Sequence, residues 1–421
     1  MNAKPKTSSS PLFVIFTTVL VDLIGFGMVI PLIGLYGRHY GASGVQLSVL
    51  GGIYSLMQFF FAPIWGALSD RVGRRPILLF SLAGSTLSYL AFAFAPSYGW
   101  LVLSRALGGI CAANISTAQA YIADVTTPQD RAKGMGLLGA AFGIGFTLGP
   151  PLGGIASAQL GLAAPGLIAA VICGVNALLA VFRLPESYPV ELRQQRRENS
   201  GTAPKNGGWS NVRQLAHAFQ DADRRILFFT FFAVTFAFST MEQTFSLLFQ
   251  TKFGFETGEA GYRTGLVLMV AGLVGAMIQG GLIRKLVARF GERQLLLIGL
   301  GISSAVMAIF PWSPSYPLYF LIVLPMAIGS SLINPSLSSL ISKAASAQEQ
   351  GSTLGVSQGL GSLARALGPF CGLMTFTVAP EIPYLISCSI YAALLFLGAQ
   401  LIQESKKTKT NSAPAQSEVT A

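Results

Sequence analysis

Four ionisable residues stand inside long apolar runs: Asp22, Arg105, Glu242 and Arg365. A charge in hydrocarbon is costly, so such residues mark proton relays, ligand sites or buried pairs. Asp22 lies about ten residues into its run, roughly 15 Å deep at 1.5 Å per residue. A carboxyl there can take a proton on one side of a membrane and release it on the other. Arg105 is its natural partner, and a structural salt bridge that fixes helix packing is one reading of the pair. Glu242 falls on Asp22 at an offset of 220 residues, so it is either a second carboxyl for proton coupling or an ordinary residue near the outer mouth. Arg365 either balances Glu242 or attracts an anionic group. Gln58, Asn114, Gln119, Gln243, Asn334 and Gln358 are expected, with Arg365, to give a mostly apolar cavity a few polar handles. The two histidines, His39 and His217, fall in a loop and a polar linker, outside this set.

The elements that position these groups follow from composition. The chain is 52% hydrophobic and 11% charged, against about 25% charged in a typical soluble domain. About twelve runs are long enough to cross about 30 Å of hydrocarbon as helices. They lie near 12–36, 46–67, 77–96, 100–123, 134–156, 163–183, 226–250, 263–286, 294–312, 317–341, 353–378 and 383–403. This predicts an all-α membrane protein with an N-terminal six-helix bundle over 1–184, a cytoplasmic linker over 185–225, a C-terminal six-helix bundle over 226–404 and a disordered cytoplasmic tail over 405–421. Within the linker, Val212, Leu215, Ala216 and Phe219 have the spacing of a surface helix.

The net charge of +11 is distributed by topology. With the N-terminus inside, most loop lysines and arginines fall on one side and only Arg38, Lys252 and Arg263 opposite, which places both termini in the cytoplasm of a multi-pass cell-membrane protein. The basic excess then implies no nucleic-acid partner. Cys111, Cys173, Cys371 and Cys388 lack paired spacing, so neither a metal site nor a disulfide framework is expected. No Gly-Lys dipeptide occurs, which excludes a phosphate-binding loop of the Walker type and leaves an ion gradient as the energy source, without a cofactor.

The two halves repeat. Gly149, Pro150 and Gly153 fall on Gly368, Pro369 and Gly372 at an offset of 219, Asn114 on Asn334 at 220, and Arg71, Gly73 and Arg75 on Arg289, Gly291 and Arg293 at 218. Repeats of this kind build secondary transporters, with the substrate between the halves near the midplane. Two motifs sit at matching places. Gly66, Asp70, Arg71, Gly73, Arg74 and Arg75 join the second and third helices as a conformational latch or an ordinary basic loop. Gly145, Gly149 and Gly153, with Pro150, make a smooth face for close packing, either a hinge or a structural helix contact.

The first of these motifs resembles the loop signature of the major facilitator superfamily, Gly-x-x-x-Asp-Arg-x-Gly-Arg-Arg. The resemblance implies two pseudo-symmetric six-helix bundles and a latch that stabilises the outward-facing state. The fifth-helix stretch is similar to the antiporter signature of proton-driven drug exporters. Arg105 with Gly109 resembles the family's fourth-helix motif, whose arginine is implicated in proton transfer, so the resemblance implies proton coupling through Asp22, Arg105 and Glu242. The run from Val21 to Leu32, with Asp22, Gly25, Gly27 and Pro31, is similar to tetracycline-resistance exporters. Two departures stand out: no acid lies between Leu295 and Trp312, and no histidine lies in the eighth run, whereas those exporters carry functional residues of both kinds there. Ala288 replaces the second latch's aspartate. The expectation is a monomeric proton-coupled exporter of a small amphiphilic or drug-like molecule, in the inner membrane if the cell is Gram-negative, and not an enzyme. The alternatives are an uptake symporter or facilitator, or a lipid or siderophore exporter on the same scaffold.

Overall fold

The computed structural model describes residues 9–126, 131–189, 221–344 and 350–411, and every regular element among them is helical. The first half comprises α1 (Ser9–Val29, continued through a 3-10 turn at Ile30–Leu32 into Ile33–His39), α2 (Gly44–Val72), α3 (Arg74–Ala93), α4 (Tyr98–Cys111, resuming as Ile115–Val125), α5 (Arg131–Leu160) and α6 (Ala164–Arg183). In the second half, α7 is Ala222–Glu242, resuming as Phe245–Phe253. Thr257–Met277, a π-turn at Ile278–Leu282 and Ile283–Ile309 follow; a non-helical residue, Gly291, divides this stretch into α8 before it and α9 after it. The last three are α10 (Leu318–Lys343), α11 (Gln350–Phe376) and α12 (Ile382–Asn411).

Nine stretches among the described residues are long and apolar enough to span a membrane. One of them, Thr257–Trp312, is 56 residues long, about 84 Å as a helix, and its break at Gly291 makes it two crossings. With α5 and α11 the total is twelve, in two halves of six. Apolar side chains such as Phe13, Leu87, Phe182 and Phe396 stand more than half exposed on the outside, as a lipid-facing surface requires.

Local chemistry sets the helix ends. Ser43 and Gln46 form a capping box at the start of α2. Gly73 (φ 118°, ψ 160°) and Gly291 (φ 75°, ψ 158°) make the corresponding turns of the two halves, in a region of φ that favours glycine. The helix α12 continues through Asn411, past the boundary expected at residue 404. The expected surface helix with Val212, Leu215, Ala216 and Phe219, His217 and residues 412–421 lie outside the described residues.

Glycine seams join the halves. Between α5 and α8, Gly258 meets Ala158, Gly265 meets the Pro150 carbonyl and Gly272 meets Thr147. Between α2 and α11, Gly44 meets Thr377, and Gly52 meets the Ala366 carbonyl. At the end remote from the termini, Arg38 donates to Gln250 Oε1 (3.1 Å) and Thr251 Oγ1 (3.3 Å), and the Ser246 hydroxyl donates to the Pro31 carbonyl.

Candidate functional site: a cavity between the halves

Below that closed end lies a cavity of about 620 Å³, with walls from both halves. Asp22, Glu242, Gln58, Asn114, Asn334 and Arg365 line it, among the aromatic rings of Phe26, Tyr54, Phe146, Phe231, Phe238 and Tyr391. Six of the expected residues therefore meet in one place, although they come from six different helices.

The wall around Asp22 is built by a broken helix. Between Cys111 and Ile115, α4 loses its helical hydrogen bonds, and freed backbone carbonyls need other donors in a membrane. Three side chains supply them: Trp65 Nε1 donates to the Ile110 carbonyl (2.7 Å), the Ser81 hydroxyl to that of Cys111 (2.6 Å) and Gln58 Nε2 to that of Ala112 (3.1 Å). At the break, Asn114 Nδ2 donates to Asp22 Oδ2 (2.9 Å) and also to Ser81 Oγ. The Cys173 thiol of α6 lies 4.0 Å from the other Asp22 oxygen. Gln58 thus lines the cavity, but its amide is committed to the backbone.

The second half is arranged differently. Glu242 is the last residue before α7 breaks, and Arg365 of α11 lies within its electrostatic reach, without a direct ion pair among the described residues. Arg365 Nη2 donates to Ser362 Oγ (3.3 Å). Asn334, which falls on Asn114 at the repeat offset, is exposed and donates to the Ser330 carbonyl of its own helix (3.3 Å).

Several expectations are corrected. Arg105 does not meet Asp22: its guanidinium lies over the Tyr54 ring, 4.4 Å from the centroid, behind the cavity wall, and its Nε has no hydrogen-bond partner. Tyr54, whose side chain lines the cavity, holds the guanidinium on its ring face, a cation–π arrangement for a buried arginine. Gln119 is half-buried on α4, outside the lining residues. Gln243 sits in the closed seam, donating to the Gly51 carbonyl (3.2 Å). The side chain of Gln358, on α11, lies outside the described ones.

The latch residues organise one half. Arg74 is nearly buried, with its guanidinium against Asp70 (2.6 Å), Asp124 (3.2 Å) and Ser69 Oγ (2.6 Å). The carboxylate at the N-terminus of α3 is Glu186, which accepts from the backbone N–H groups of Arg74 (2.9 Å) and Arg75 (3.3 Å), where a helix end favours negative charge. Arg75 Nη2 donates to the Val181 carbonyl (2.7 Å), Arg71 is exposed, and Gly66 lies near Ser116. The helix α5 continues unbroken through Pro150, and its glycines receive α1: a Cβ on Gly145 would meet Leu23, one on Gly149 would meet Gly27, and one on Gly153 would meet the Met28 carbonyl.

Sequence reasoning missed Asp124, Glu186, Ser81 and Gln279. The last was within reach, since Gln279 falls on Gln58 at an offset of 221 and lines the cavity. Also legible was the α7 face of Phe231, Val234, Thr235, Phe238, Ser239 and Glu242, whose helical spacing matches its place in the lining.

Two six-helix halves that enclose one polar-spotted cavity, shut at one end by glycine seams, define a membrane transporter. The sequence model of the Major Facilitator Superfamily matches residues 15–417, and the chain belongs to that family. It is 29% identical to the mouse (Mus musculus) protein "Major facilitator superfamily domain-containing protein 10", over 94% of this chain and 93% of that one. It is 33% identical to the class C tetracycline resistance protein of Escherichia coli, over 86% and 88% of the two chains. The crystal structure of the human organic anion transporter MFSD10 superposes with a TM-score of 0.66 at 27% identity, covering 94% of this chain and all of that one.

Proposed function

We propose that the protein is a proton-coupled exporter that moves a small amphiphilic molecule by alternating access, with the protonation of Asp22 driving the exchange. The observation that carries this reading is a membrane-buried carboxyl on the wall of a cavity between two halves, held by Asn114 from a broken helix. The exchange needs a group that substrate and proton can compete for, and Asp22 faces the space both would enter. Glu242 serves as a second protonatable group in the other half, and Arg105 sets the field around Asp22 through Tyr54. The aromatic lining suits a flat or amphiphilic molecule, and drug exporters stand among the relatives.

With both termini in the cytoplasm, as the basic loops favour, the closed end faces outward and the cavity belongs to an inward-facing state. The Arg74 cluster then lies on the cytoplasmic side, where Asp70 is free to exchange partners in the outward-facing state. The protein works in the cell membrane as a monomer, with the linker and tail of residues 185–225 and 405–421 in the cytoplasm. A second reading, transport of organic anions, is favoured by Arg365 on the cavity wall and by the likeness to the human organic anion transporter.

The test is transport by purified protein in liposomes under an imposed pH gradient, with an internal pH dye and panels of cationic and anionic amphiphiles. Proton movement opposite to substrate flux, absent in Asp22→Asn, is the expected result. Substrate flux with no proton movement would remove the coupling role of Asp22, and a response confined to anions would select the second reading.

A further inference from the structure

A second concavity of about 530 Å³ lies on the lipid side of the first half, between α1 and α6. It is separate from the central cavity: Phe13, Val14, Thr17 and Val21 face it from α1, whereas Val19, Asp22, Leu23 and Phe26 face the cavity. Its walls are almost wholly apolar, and two features set it apart from an ordinary lipid-facing surface. Asn176 lines it while being only 4% exposed, and its Nδ2 finds no partner in the protein. Arg183, in the last turn of α6, is the one charged residue among those lining it, and it is exposed.

We propose that this groove binds one anionic glycerophospholipid, with an acyl chain running between α1 and α6 past Asn176 and the phosphate on Arg183. The dimensions agree: Val171 to Arg183 spans about 18 Å of helix at 1.5 Å per residue, close to the roughly 15 Å hydrocarbon depth of a single leaflet. The volume is within the range of about 300–1,000 Å³ usual for sites that enclose a small ligand. Charge selects the headgroup, because the only charge in the groove is positive and stands where α6 leaves the membrane.

Native mass spectrometry of the full-length protein in mild detergent, titrated with phosphatidylglycerol or phosphatidylcholine, tests the site. The expected result is one tightly retained phosphatidylglycerol that phosphatidylcholine does not displace. Val175→Trp, which fills the groove from a lipid-exposed position, should lose that lipid. Arg183→Gln should weaken it about fivefold. Thermal midpoints in phosphatidylcholine check the folding of each variant, and if Val175→Trp does not fold, Arg183→Gln decides. Equal retention by folded Val175→Trp, unchanged affinity in Arg183→Gln, or equal competition by phosphatidylcholine would overturn the proposal. So would displacement by inorganic phosphate, which would make the groove a site for the free anion.

Discussion

The two halves share helix order, turn glycines and a cavity acid, yet they hold their charges in opposite ways. Asp22 is gripped by hydrogen bonds, from Asn114 and through it Ser81, whereas Glu242 lies within electrostatic reach of the cation Arg365 on the adjacent helix. The contrast recurs at the turns. In the first half Arg74 pairs with Asp124 at the end of α4; at the matching turn, Glu292 pairs with Lys343 at the end of α10, so the charges are exchanged. The exposure also differs, since the Arg74 side chain is 6% exposed and that of Lys343 is 64%. A duplicated framework therefore conserves geometry while its electrostatics diverge. The half with the more closely built network is the one that carries the exchange in our proposal.

The largest expected effect separates the two acids. Asp22→Asn should bring proton-coupled transport to background while the protein still folds, because the change is nearly isosteric. Glu242→Gln should leave measurable transport with an altered substrate preference. Side-by-side liposome assays check this, and equal loss in both variants would erase the functional asymmetry between the halves.

Packing provides the control in which the halves should behave alike. A Cβ at Gly149 would come within 2.7 Å of Gly27 Cα, and one at Gly368 within 2.7 Å of Ser239 Cβ. Gly149→Leu and Gly368→Leu should each cost more than the ~1–3 kcal/mol of a modest overpacking and stop the cycle. Gly281→Ala, where a Cβ meets nothing within 4 Å, should not. Thermal unfolding and transport rates distinguish these outcomes, and tolerance at Gly149 would mean that the contact between α1 and α5 is not tight.

Much of this was legible beforehand because hydrophobic length and repeat offset are properties of the chain itself. Twelve spans, the break between halves, and Asp22, Glu242, Asn114 and Arg365 as cavity residues follow from them. The break in α4 was not legible. No proline or glycine lies between Cys111 and Ile115, and the donors that satisfy the freed carbonyls, Trp65, Gln58 and Ser81, come from two other helices. Arg105 was misplaced for the same reason: it was matched to Asp22 as the natural opposite charge, whereas its guanidinium is taken by the ring of Tyr54, from another helix. Asp124 and Glu186 lie 50 and 112 residues from Arg74 along the chain, with no local pattern that joins them to it.

The cavity pair of the second half gives a sharper and smaller effect. If Glu242 and Arg365 balance one another, the losses in Glu242→Gln and Arg365→Met should sum to more than the loss in the double variant. A coupling of about 0.5–3 kcal/mol in a double-mutant cycle of thermal or denaturant unfolding would show it. Strict additivity would mean that Arg365 is held by solvent in the cavity and free to meet a substrate anion.

The smallest effect tests the exchanged turns. Arg74 has little water around it, so Asp124→Asn takes a charge-assisted bond from a nearly buried guanidinium and should cost about 1.5–3 kcal/mol, moderated by the remaining contacts to Asp70 and Ser69. Lys343→Met removes the exposed member of its pair, where the loss should stay within about 1 kcal/mol because water and salt screen such bridges. Raising the salt concentration should narrow the Lys343 effect further and leave that of Asp124 nearly unchanged, as expected for a shielded pair. Unfolding midpoints of the two variants at low and high salt carry the comparison. Equal, equally salt-sensitive losses would mean that both turns are ordinary surface bridges, and the first half's network would then have no claim to be the more closely built of the two.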